Sequence, residues 1–190
     1  VKIGMLHDAE IIEAVAGALT DIDAPIILDP VMIATSGATL IAEDAIALMR
    51  EKLFPMATLV TPNLPELEHL CERSLSTSQD MAKAAEELSG KIGAAVLAKG
   101  GHTGDQRIID VLMVPQSRAV QFEHARIDTA HTHGTGCTLS SAIAALIGHG
   151  QPLEHAVRLG RQFVLRAIEA APGFGAGNGP IGHHAVRKLD

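Results

Sequence analysis

Short apolar runs of Val, Ile, Leu and Ala alternate along this chain with longer segments whose apolar residues recur every three or four positions. That alternation constrains the fold more than any other feature. Residues 1–6, 26–29, 58–61 and 94–99 read as buried strands. Between them, Ile11, Ile12, Val15, Ala16 and Leu19 mark one face of a helix over 8–19, with Asp8 as its N-cap. Residues 42–53 give a second helix, stopped near Pro55; a third leaves Pro62 and runs through Leu70, and a fourth spans 78–92 with Asp80 in its first turn. Parallel strands need a crossover of a dozen residues or so, usually a helix. The repeated unit therefore predicts an α/β fold, three layers with a central, mostly parallel sheet wrapped on both faces by helices. Residues 108–114 and 120–127 read as two further strands joined hairpin-fashion across 115–118. Helices ending near Ile147 and spanning about 153–171, then a glycine-rich tail, close the chain. No internal repeat or linker interrupts it, so residues 1–190 are expected to form a single domain.

Composition narrows the chemistry. With four Phe and neither Trp nor Tyr, the core has to be built from small and branched aliphatic side chains. A net charge of −7 argues against nucleic-acid binding, which needs a basic surface, but leaves room for a nucleotide in a local positive pocket. No apolar run approaches the roughly 20 residues of a membrane span. Cys71 and Cys137 sit in contexts resembling a helix and a loop-to-helix junction, so free thiols and a cytoplasmic setting are expected. The chain also opens directly on a strand, which reads as a start in the middle of a domain.

The most suggestive stretch runs from Thr132 to Leu146, a glycine-punctuated loop that becomes an alanine-rich helix. Gly134 and Gly136 leave the backbone open to a ligand, and the first turn of the following helix has unpaired N–H groups. Such a socket suits an anion, most naturally a phosphate. Cys137 stands where the helix field favours a thiolate able to take a proton. A capped helix with a small buried cysteine is the plainer alternative.

In α/β sheets ligands bind at the carboxyl ends of the strands. Asp29, Asn63, Glu66, Lys99 and Gly100 all fall there. Lys99 with Gly100 and Gly101 suits a nucleotide phosphate, or simply a strand terminus with a tight turn. Asn63 and Glu66 lie three residues apart at a helix start, where they could serve Mg²⁺ or merely stabilise the helix. Asp29 could hold metal-bound water or cap a turn. The histidines at 131, 133, 183 and 184 fit no zinc pattern well.

Five motifs occur in order: Asp29-Pro30-Val31-Met32, Ser36-Gly37, Thr61-Pro62-Asn63-Leu64-Pro65-Glu66, Lys99-Gly100-Gly101-His102, and Thr132 through Ser140. With Gly177-Asn178-Gly179-Pro180 and His183, they resemble the hydroxymethylpyrimidine/phosphomethylpyrimidine kinase family of thiamine biosynthesis, within the ribokinase-like superfamily. The resemblance covers nearly the whole chain. It implies ATP-dependent phosphorylation of a hydroxymethylpyrimidine and of its monophosphate. Cys137 stands at the position of the catalytic base, where most ribokinase-like enzymes carry Asp. Gly134, Thr135, Gly136 and the Cys137 amide would form the anion hole. Lys99 and Gly100 would attend the ATP phosphates, Asn63 and Glu66 would organise Mg²⁺ through water with Asp29 beside them, and Met5 and Val31 would line the pyrimidine pocket. A homodimer is the implied assembly. Relative to the family, a first strand and a glycine-rich substrate loop would precede Val1, so an N-terminally truncated domain is expected. Two alternatives stay open: a pyridoxal kinase with Cys at the base position, and a nucleotide-binding remnant without activity.

Overall fold

The computed structural model describes residues 1–33, 40–101 and 106–186; Ser36, Gly37 and His102 lie outside them. The chain forms two compact units, Val1–His124 and Ala125–Asp190.

In the first unit the order is β1 (Lys2–Ile3), α1 (Ala9–Leu19), β2 (Ile27–Leu28), α2 (Glu43–Lys52), a 3₁₀ turn (Phe54–Met56), β3 (Leu59–Val60), α3 (Leu64–Cys71), α4 (Ser78–Ile92), β4 (Ala95–Ala98), β5 (Arg107–Met113) and β6 (Val120–Ala125). The six strands lie in the sheet in chain order. Strands β1 to β4 are parallel, Ile27 standing opposite Leu59 and Leu59 opposite Ala95. Strand β5 runs antiparallel to β4, with Val96 opposite Met113. Residues 99–106, which separate β4 from β5, are too little chain for a parallel crossover. The sheet is thus mostly parallel, as the alternation predicts.

The first three strands are shorter than their apolar runs. Their flanks still pair: Ile27 donates its N–H to the Val1 carbonyl, Asp29 to Ile3 and Thr61 to Leu28. Pro30 and Pro62 follow Asp29 and Thr61, and proline has no N–H with which to extend the ladder. Asp29 and Thr61 therefore stand at the carboxyl edge of the sheet, where β2 and β3 end.

Alternation along the strands sorts the core. Leu28, Val60, Val96 and Val111 join a cluster with Ile12 of α1, Met49 of α2, Leu67 of α3 and Ala84 of α4. Ile27, Leu59, Leu97 and Leu112 point the opposite way and are equally buried. Both faces of the sheet are dry, which is why its strands read as unbroken apolar runs. Asp8 caps α1 by accepting the Ile11 N–H at 2.9 Å, and Thr77 with Asp80 forms a capping box on α4.

The second unit is built on α5 (Thr135–Gly148) and α6 (Leu153–Glu169). They pack through Gly160, where a Cβ would lie 3.1 Å from Ile143 Cγ1, and Gly150, at φ 83°, turns the chain between them. Beyond α6 the tail runs back to pair Pro180 with His133 and ends in a 3₁₀ turn, His183–Ala185.

Candidate active site

The first unit gathers charged and polar side chains at the carboxyl ends of β2, β3 and β4. Asp29 (2% exposed) accepts the Lys99 ammonium at 2.9 Å and the Thr61 hydroxyl at 2.9 Å on the same oxygen. Lys99 is brought there by its own N–H donating to the Pro62 carbonyl, which aligns it beside Asn63. Asn63 is the N-cap of α3, its side chain accepting the Glu66 N–H at 2.9 Å; Glu66 reciprocates by accepting the Asn63 N–H at 2.8 Å. The second Glu66 oxygen accepts the Met32 N–H at 3.4 Å. The plain helix-start role of this pair is therefore real, and it buries a carboxylate next to Lys99.

Burial, the largest influence, pushes the Glu66 carboxyl up to about 7 against the pull of Lys99 and of its backbone hydrogen bonds. For Lys99, burial alone would lower the ammonium. The carboxylates of Asp29 and Glu66 outweigh it and hold Lys99 above its ordinary value.

Gly100 has a job that needs no ligand. Its N–H donates to the Asp110 carboxylate at 2.9 Å, and a Cβ there would sit 2.0 Å from the Ile109 carbonyl oxygen. Met5, 51% exposed, and the half-buried Val31 follow the carboxyl ends of the adjacent strands β1 and β2. Asp110, buried at 6% exposure, escapes a reading based on strand ends, although a lone Asp within Ile108-Ile109-Asp110-Val111-Leu112 was a visible signal.

Three carboxyl groups, Asp29, Glu66 and Asp110, thus stand around one ammonium. Among the described residues no three His, Cys, Asp or Glu side chains converge as metal ligands, so an all-protein cage for Mg²⁺ does not fit. A magnesium ion that keeps its waters and leans on phosphates does fit, because it asks for only one or two carboxylates.

The second unit holds the glycine turn. Gly134 is the N-cap of α5 at φ 84°, a left-handed conformation that suits glycine. Thr135, Gly136 and Cys137 form the first helical turn. Thr135 donates weakly to the Thr132 carbonyl (3.3 Å) and Thr138 to Gly134 (2.9 Å). Among the described residues the Gly136 and Cys137 N–H groups have no hydrogen-bond partner, the condition for binding an anion. Cys137 is exposed and free, whereas Cys71 is half-buried and its thiol is pushed up by burial. From inside, the buried Ser140 hydroxyl donates to the Gly136 and Cys137 carbonyls, each at 3.1 Å. Thr138 and His183, hydrogen-bonded at 2.8 Å, join the end of the chain to this turn, a pairing no spacing rule could have found.

No helix among the described residues is long and apolar enough to cross a membrane. The family model described as phosphomethylpyrimidine kinase matches residues 1–182. A hydroxymethylpyrimidine/phosphomethylpyrimidine kinase from Bacillus subtilis is 40% identical over 190 residues, covering 99% of this chain and 70% of the relative. The thiamine biosynthesis bifunctional protein ThiED of Geobacter sulfurreducens is 42% identical over 185 residues, 96% of this chain and 37% of that protein. Among solved structures, the pyridoxal kinase from Staphylococcus aureus in complex with ADP superposes with a TM-score of 0.90 at 30% identity, covering all of this chain and 69% of that one. The ribokinase-like α/β fold follows from these similarities together with the mostly parallel sheet, and the chain belongs to the phosphomethylpyrimidine kinase family of phosphotransferases.

Proposed function

We propose that this chain catalyses ATP-dependent phosphorylation of hydroxymethylpyrimidine and of its monophosphate, in thiamine biosynthesis. The observation that carries the proposal is the Gly134–Cys137 turn, where bare amides and an exposed thiol occupy the first turn of one helix. Phosphoryl transfer is mainly positioning and charge stabilisation, and this turn supplies both. The Gly136 and Cys137 N–H groups would donate to the oxygens of the transferring phosphoryl group. Cys137 Sγ would take the proton of the substrate hydroxyl as that oxygen bonds to phosphorus and the bond to the ADP oxygen breaks.

In the first unit, Lys99 would serve the nucleotide phosphates as a cation pre-oriented by Asp29. Gly100, tied to Asp110, would fix the strand end from which Lys99 reaches those phosphates. Asp29 and Glu66 would hold Mg²⁺ by way of its water, Asn63 acting through its cap on Glu66. When bound, the ion neutralises charge on the phosphates. Met5 and Val31 would contact the pyrimidine. A single kinase domain over residues 1–190, a cytoplasmic location and a homodimeric state complete this reading.

One observation favours a second reading: the similar solved structure is called a pyridoxal kinase. The Bacillus subtilis relative, at 40% identity, carries the pyrimidine name. ADP release measured with hydroxymethylpyrimidine and with pyridoxal in parallel separates the two. Higher kcat/KM for the pyrimidine is expected; preference for pyridoxal overturns the substrate assignment. ATP binding without ADP release from either would identify a nucleotide-binding remnant.

A further inference from the structure

The glycine-rich tail plays no part in the chemistry above, yet it is fastened on both sides of the turn that carries Cys137. Before the turn, His133 donates its N–H to the Gly179 carbonyl at 3.2 Å and pairs with Pro180. After it, Thr138 Oγ1 and His183 Nε2 are 2.8 Å apart, and the His183 ring lies 6.3 Å from that of Phe163 on α6. Between these two fastenings Ile181 is 3% exposed, and the Gly182 N–H donates to the Ala167 carbonyl at 2.7 Å.

Two tail glycines are there because no larger residue fits. A Cβ on Gly179 would stand 2.3 Å from His131 Nδ1 and 2.6 Å from the Phe174 carbonyl oxygen, and one on Gly182 would stand 2.0 Å from the Ala170 carbonyl oxygen. The tail is thus seated at close range along its length. The turn it flanks needs outside support, because Gly134 and Gly136 place little conformational restraint of their own on it. Catalysis by positioning is lost when reacting groups shift by about 1 Å.

We propose that residues 179–183 are a brace that holds the phosphate-binding turn in register, with His183 as a positioning residue acting through Thr138. This rests on the phosphotransferase reading of that turn. Both ends of the brace act on residues that flank the turn. His183 fixes the hydroxyl of the residue after Cys137, and Gly179 fixes the backbone of the residue before Gly134.

The test compares H183A, H183Q, T138V and the H183A/T138V double variant with the wild-type protein. Steady-state kinetics are paired with hydrogen exchange at the amides of 135–137. H183A and T138V should each lower kcat about tenfold while KM for ATP stays within about twofold, as expected for misplacement rather than lost binding. H183Q, which retains a hydrogen-bonding group, should recover most of the rate. The double variant should be no slower than the slower single one, because both substitutions cut the same contact. Unchanged kcat in H183A, or losses that multiply in the double variant, would overturn the brace. If the wild-type protein transfers no phosphate, the kinase reading fails on its own and amide exchange decides the brace. Faster exchange at 135–137 in H183A supports it, and unchanged exchange overturns it.

Discussion

Glu66 offers a prediction whose sign reverses with pH. Its carboxyl is 2% exposed and is raised from 4.5 to about 7, chiefly by burial. A displacement of that size corresponds to about 3 kcal/mol between the protonated and ionised forms. Below pH 4.5 the carboxyl is protonated in both folded and unfolded chains, and ionisation costs nothing. As pH rises from 4.5 to about 7 the unfolded chain releases this proton first, so the folded state binds more protons and stability falls. Above that window both states are ionised and the full penalty is present. Glu66→Gln removes the charge but has one carbonyl oxygen to offer two donors, the Asn63 and Met32 N–H groups. Keeping the shorter bond and losing the 3.4 Å one should cost roughly 1 kcal/mol. In metal-free buffer the variant should therefore be less stable than wild type by roughly 1 kcal/mol at about pH 4, and more stable by roughly 2 kcal/mol at about pH 8. Urea unfolding curves of the two proteins across that range measure the difference directly, and titrations common to both cancel. A difference that stays flat with pH, or one that grows in favour of wild type as pH rises, would refute the burial argument.

Asp29→Ala strips the Lys99 ammonium of its 2.9 Å partner in a nearly closed site, and should cost about 3 kcal/mol in chemical denaturation; a loss under about 1 kcal/mol would show that Glu66 alone satisfies the cation. Gly100→Ala drives a Cβ to 2.0 Å from the Ile109 carbonyl oxygen and should destabilise by about 2 kcal/mol or more, whereas Gly101→Ala, with nothing within 4 Å, should be close to neutral. Equal melting temperatures for these two variants would contradict the close approach of β4 and β5. Cys137→Ala should leave ATP affinity in calorimetry nearly intact and lower turnover by about 10² or more, the scale of a lost general base; near-normal turnover would place the base elsewhere.

The order of the layers was legible because it depends on local pattern. Buried strands had to be continuous apolar runs, and the helices had to repeat every three to four residues. Prolines 30 and 62 marked where the first strands would stop. Asp8 was readable as the N-cap of α1 because its partner, the Ile11 N–H, lies within a few positions in the chain. The glycine turn before Cys137 was readable for the same reason. Its bare amides follow from a helix beginning there, whatever the helix packs against.

What the sequence by itself determined about this protein is therefore the α/β alternation, the strand ends that carry Asp29, Asn63 and Lys99, and the glycine-flanked start of the helix after Gly134. Tertiary structure alone decided how those groups act on one another. Asp29 and Lys99 are 70 positions apart in the chain, and Thr138 and His183 are 45 apart. The burial that raises Glu66 comes from the fold around it, not from its neighbours in sequence. Asp110 and Gly100 gain their roles only because β5 turns back beside β4. Hydrogen bonds and desolvation act over a few ångströms of space, and separation along the chain places no limit on which groups the fold brings within that range.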